Sequence, residues 1–155
     1  MIVARYKPKD PLFKVADSFF NLEAEFYISS LGLVELFSVL SRVVVKAPIG
    51  RPSLSTLVSF VLRDCNLHLI KKSYFTTTTI AGLEFTIPLE YYAAMRLART
   101  LRLRALDLLH VAIASLARKD GLLQVFVTGD KEILRRRKRI QASTGMLVKH
   151  PSELI

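Results

Sequence analysis

Hydrophobic positions along the chain switch between two periods, and the switches mark out alternating helices and strands. Leu12, Val15, Ala16, Phe19 and Phe20 fall at the three- and four-residue steps of an amphipathic helix. Asp10 and Pro11 open it as cap and first-turn proline. Residues 26–29 read as a buried strand. Ser29 or Ser30 caps a helix that runs to about Val45, is apolar nearly all round, and is ended by Pro48, Gly50 and Pro52. Ser53 opens the next helix, with Leu54, Leu57, Val58, Val61 and Leu62 on one stripe, and residues 67–72 alternate as a half-buried strand does. The β-prone residues on either side of Gly82 predict a hairpin over 73–87. Pro88 starts a helix bearing Leu89, Tyr92, Ala93 and Leu97 that stops near Arg102.

The stretch LRLRALDLLHVAIASLARKDGLLQVFVTGD, residues 101–130, organises the second half. Leu106, Leu109, His110, Ile113 and Leu116 share a helix face, Gly121 closes the helix, and residues 122–127 read as a short buried strand. A short basic helix follows Asp130, and residues 146–149 form a last strand. Met1 to Ala4 are apolar but too few for a strand of their own. Helices alternating with strands predict a parallel sheet with helices on both faces. A helix that feeds such a strand runs antiparallel to it. Asp107 and Asp130 are therefore expected at one sheet edge, the carboxyl edge where open α/β sheets keep their sites.

Composition narrows the picture. The chain has 155 residues, 51% of them hydrophobic, which predicts a single domain spanning 1–155 and excludes disorder. Its net charge of +10 favours an anionic partner. The lone Cys65 fits a reducing cytoplasm, and the start MIVARYKPKD lacks a signal-peptide core. The longest apolar run, 26–40, is short for a membrane span and contains Glu35, so no membrane partner is expected.

Three acids stand in apolar company, and each has an ordinary explanation. Glu35 could lie on the wet side of its helix or pair with an arginine. Asp107 sits in a first helical turn, where the dipole favours it. Asp130 could cap the helix that follows, with Thr128 sharing the task. His110 reads first as a hydrogen-bonded core histidine. Gathered at one sheet edge, however, like charges repel unless a cation bridges them. Carboxylate oxygens are the ligands of hard divalent ions, and such an ion activates water for attack on a phosphodiester.

SSLGLVEL at 29–36, LRALDLLHVAIA at 103–114 and FVTGDKEIL at 126–134 resemble three motifs of the PIN domain, in matching order and spacing. The nearest subgroup is the VapC-type toxins. The resemblance implies a three-layer α/β/α PIN-like fold with a mainly parallel central sheet. It also implies an endoribonuclease dependent on Mg²⁺ or Mn²⁺ and paired with an antitoxin protein; separately, the apolar helices and a mean hydropathy of +0.33 predict a homodimer. Glu35 matches the family's second acidic position, Asp107 the third and Asp130 the fourth. Thr128 and Ser29 would support them. One departure is plain. The family's first strand ends in an aspartate, and this chain shows none there, so its first strand is truncated. We read the sequence as starting a few residues late. The alternatives are that residues 2–4 pair as a stub or that the sheet has rearranged.

Two basic clusters flank the acids: Arg96, Arg99, Arg102 and Arg104 before Asp107, and residues 135–139 after Asp130. Arg102, Arg104, Arg135 and Arg136 are the expected grips on RNA phosphate. The alternative from another class is a PIN-like module that binds RNA or an antitoxin without cleaving. A nucleotide-binding domain is disfavoured, since no glycine-rich phosphate loop follows any strand.

Overall fold

Ser29 and Ser53 cap two helices of the first half where residue type predicts. The computed structural model describes residues 1–44, 53–71 and 74–155. It divides into two units, Met1–Ile70 with Pro151–Ile155, and Lys71–His150.

In the first unit, Ile2–Tyr6 wind into a 3-10 helix that buries Ala4, in place of an extended stub. Helix α1 (Phe13–Phe20) follows. Asp10 does not cap it directly: its Oδ1 accepts from Leu12 N at 2.9 Å, closing an Asx turn ahead of the helix. Strand β1 (Phe26–Ile28) leads into α2 (Ser30–Val44). Ser29 Oγ accepts from Gly32 N at 3.0 Å and so begins α2. The expected terminators Pro48, Gly50 and Pro52 lie outside the described residues. Ser53 caps α3 (Leu54–Asp64) by accepting from Thr56 N at 3.2 Å. Strand β2 (Leu67–Leu69) then pairs parallel with β1, with Phe26 opposite Leu67. Phe19, Phe20 and Phe26 form an aromatic cluster with ring centroids 4.8–5.3 Å apart. Val58 and Val61 of the α3 stripe are buried, as are Ile28 and Leu36. Residues 151–153 form a second 3-10 turn that contacts α1 and buries Pro151.

The second unit opens with a hairpin, β3 (Phe75–Ile80) against β4 (Leu83–Pro88). Ala81 and Gly82 turn it with φ of 51° and 81°, the double positive φ that a type I′ turn requires. Helix α4 (Leu89–Leu101) ends on Arg102, a non-glycine residue in the left-handed region at φ 50°. Helix α5 (Ala105–Lys119) turns a different face inward from the one expected: Leu108, Val111, Ala112 and Ser115 are buried, whereas Leu106 is 53% exposed and Leu109, His110, Ile113 and Leu116 are only half-buried. It ends in a Schellman motif. Gly121 N bonds Arg118 O and Leu122 N bonds Ala117 O, both at 2.9 Å, with Gly121 at φ 76°. That closure occupies the backbone of Leu122, so the strand expected from 122 begins only at β5 (Val125–Val127). The single basic helix expected after Asp130 is two, α6 (Lys131–Arg135) and α7 (Arg137–Thr144). Strand β6 (Leu147–Lys149) pairs parallel with β5. The core of this unit centres on Leu101, Val111, Ile140 and Met146.

The fold is thus mixed α/β. Among the described residues it has seven α-helices and three two-stranded sheets, two parallel and one antiparallel. No described helix is long and apolar enough to cross a membrane.

Candidate functional site

Asp130 stands just past the carboxyl end of β5. The ladder continues for one more bond, from Thr128 N to Lys149 O at 3.1 Å, and then the chain turns out of the sheet. Thr128 Oγ1 accepts from Asp130 N at 3.0 Å and holds that turn. Asp130 is the N-cap of α6, its Oδ1 accepting from Glu132 N at 2.7 Å and Ile133 N at 3.1 Å. Both cap bonds fall on Oδ1, so Oδ2 is left outside the cap. The residue is exposed. The capping role anticipated for Asp130 is therefore real, and Thr128 serves it.

Asp107 lies in the first turn of α5, where Arg104 is N-cap without a side-chain cap bond. A carboxylate there complements the helix dipole. Asp107 is half-buried, next to buried Leu108, and His110 is half-buried one turn further along.

Glu35 belongs to the first unit. It is exposed on α2, next to buried Leu36, so it does occupy the wet side of its helix. Its charge reaches the amino group of Met1. Burial lowers that amine's pKa, while Asp10 and then Glu35 oppose the change. Ser29, expected as a supporting residue, is engaged as the cap of α2.

Asp107 and Asp130 thus share one unit, with Glu35 in the other. No group of three or more His, Cys, Asp or Glu side chains able to hold a metal ion occurs among the described residues. The donor chemistry suits a hard divalent cation. The described side chains nevertheless do not complete a site for one.

The basic residues divide into free-standing and tethered groups. Arg102 and Arg104 are exposed on either side of Leu103, fixed by the end of α4 and the start of α5. Arg135 is held by Glu132 at 2.6 Å, and Arg136 Nη2 lies 3.8 Å from the same carboxylate. Arg136 Nε is buried with no hydrogen-bond partner. Lys138 and Arg139 are exposed on α7, on either side of the direction taken by buried Ile140. Glu132 therefore offsets part of the charge at the two positions expected to grip phosphate.

One cluster had no signal in the pattern of residues. In the first unit Arg5 Nε lies 3.4 Å from Asp64 Oδ2 and 3.7 Å from Asp17 Oδ1. Arg5 Nη2 donates to Asn21 Oδ1 at 3.1 Å. Tyr6 Oη donates to Asp64 Oδ2 at 2.6 Å and lies 3.5 Å from Cys65 Sγ. Burial first, then the bond to Asp64, pushes the Tyr6 phenol far above its ordinary value. Burial also raises the Cys65 thiol, against the opposing effects of the Tyr6 hydrogen bond and the Arg5 charge. These residues come from three separate stretches of sequence, and only folding joins them. Beside them Ser55, Thr56, Ser59, Phe60, Arg63 and Asp64 line an open concavity on α3.

Compared with known protein families, curated proteins and solved structures, the chain matches none.

Proposed function

We propose that this chain is a PIN-type endoribonuclease of the VapC kind, acting on RNA phosphodiester bonds with Mg²⁺ or Mn²⁺ and held in check by an antitoxin protein in the cytoplasm. The finer fold implied by the resemblance, a three-layer α/β/α arrangement, belongs to this reading. Asp107 and Asp130, both in the second unit, would be its acidic residues, and Glu35 is the third that the resemblance implies. The ordered set of three motifs supports this reading. The observation that carries it furthest is the β5–Thr128–Asp130 corner, where a carboxylate sits past the carboxyl end of a parallel strand with Oδ2 outside the helix cap. The chain's own contribution is to hold Asp130 by Thr128 and by the first turn of α6. Arg102, Arg104 and the α6–α7 cations would attract the RNA backbone.

A binding module without cleavage is the second reading, and the completed cap at Asp130 favours it, since that carboxylate already has a structural task.

The test is incubation of the purified chain with RNA and Mg²⁺ or Mn²⁺. Cleavage that EDTA and Asp107→Asn both abolish supports the nuclease. RNA that stays intact while binding weakens steeply with salt supports the module. Intact RNA and no salt-sensitive binding overturn both.

A further inference from the structure

We propose that β3 is the self-association edge of this protein, and that it pairs antiparallel with β3 of a second copy about a twofold axis. This does not depend on the nuclease reading. The hairpin is a two-stranded sheet with no further strand beside it among the described residues. Its register fixes which backbone groups face outward. Ile80 and Leu83 close the two-residue turn, so even-numbered residues of β3 exchange hydrogen bonds with β4. The bond from Leu89 N to Tyr74 O at 2.7 Å continues the same parity. The N–H and C=O groups of Phe75, Thr77 and Thr79 therefore point away from β4, along an open edge.

The two edges of the hairpin are not equivalent. Exposed strand edges are normally blunted by charge, proline or a bulge. Strand β4 carries Glu84 and Pro88; β3 reads FTTTTI, with no charge and no proline. Beta-branched and aromatic residues of this kind suit strand pairing. One face is also apolar at its tip. Ile80, Leu83 and Phe85 point to the same side and are 46%, 63% and 42% exposed. Thr76, Thr78 and Ile87, nearer the base on that face, are half-buried, and both strands contact α4. A lone two-stranded hairpin is marginal in water, so added strands would stabilise it.

Charge favours a second copy as the occupant. The chain carries 23 Lys and Arg against 13 Asp and Glu, so two copies repel each other over most of their surface. Residues 74–88 contain a single charged side chain, Glu84, and no cation. This is a segment where a like-charged copy approaches without repulsion. A twofold axis across β3 makes the contact self-complementary and closed, yielding a four-stranded sheet β4–β3–β3–β4.

Sedimentation velocity of the full chain over a concentration series tests this. The expected result is a monomer–dimer equilibrium. Thr79→Pro removes an outward N–H but no hairpin bond, and Thr77→Lys places like charges across the axis. Each should raise the dissociation constant roughly tenfold or more, as loss of a symmetric pair of backbone bonds predicts. Thr77→Cys should give a disulfide-linked dimer on oxidation, since Cys65 is buried and does not compete. Circular dichroism of each variant confirms that it is folded. A wild type that stays monomeric overturns the proposal, whether its β3 amides exchange freely or are protected by another segment of the chain. A dimer unmoved by Thr77→Lys and not trapped by Thr77→Cys overturns it as well.

Discussion

Tyr6 Oη donates to Asp64 Oδ2 at 2.6 Å, tying the first turn of the chain to the end of α3. Arg5 shares the same carboxylate oxygen at 3.4 Å. A hydrogen bond to a charged acceptor contributes more than a neutral one. Tyr6→Phe keeps the ring against Phe60 but loses that bond. Urea unfolding should show a loss of about 1–2 kcal/mol. A change within error would mean that water replaces the phenol at no cost.

The same cluster sets a pH dependence. Tyr6 and Cys65 are acids whose pKa values are raised from 10.0 and 9.0 by burial. In the folded chain both stay protonated where the unfolded chain has released its protons. Their contribution is therefore complete below the unfolded values and is lost progressively from there up to the raised folded values. Urea midpoints should hold up to 9.0 and fall above it, and Tyr6→Phe should flatten the fall above 10.0. A midpoint that rises with pH across that range would contradict the sign.

Cys65 is wholly buried and its thiol is raised, so little thiolate is present at neutral pH and a reagent has no path to it. A disulfide reagent such as DTNB should react slowly with the native chain and at once in denaturant. Fast labelling of the native chain would show that α3 opens readily.

Asp130 allows structure and chemistry to be separated by one pair of variants. Asparagine caps a helix as well as aspartate does, whereas alanine does not. Asp130→Asn should keep stability, and Asp130→Ala should lose about 1 kcal/mol. If the proposed nuclease reading holds, both abolish RNA cleavage. Retained cleavage in Asp130→Asn would reduce the residue to its capping task.

Gly145 closes α7 at φ 70° and donates from its N to Gln141 O at 2.7 Å. A Cβ there would meet Arg118 Nη1 at 3.3 Å, the end of a flexible side chain that has room to give. The backbone conformation is the greater obstacle, so Gly145→Ala should cost about 1 kcal/mol. Gly145→Asn, better tolerated in that region, should cost less; thermal unfolding of the two variants makes the comparison.

Helix positions were legible wherever a serine cap met an apolar stripe, as at Ser53 with Val58 and Val61. The hairpin was legible from Gly82 and its β-prone flanks. What was not legible depends on backbone already in use. Leu122 reads as strand but is consumed by the Schellman closure of α5. Residues 2–4, too few for a strand of their own and a pairing stub only as one alternative, lie in a 3-10 helix. The Arg5–Tyr6–Asp64 cluster is a long-range contact with no periodic trace. For the carboxylates, sequence order identified the corner at Asp130 and the helix start at Asp107. It also anticipated the capping tasks of Ser29 and Thr128, which the structure bears out.

The segment Pro151–Ile155 belongs with residues that precede it by a hundred positions, and Pro151 is buried there. The second unit is therefore an insertion within the first. During synthesis the contact that buries Pro151 becomes available to the first unit only after residues 71–150 have been made.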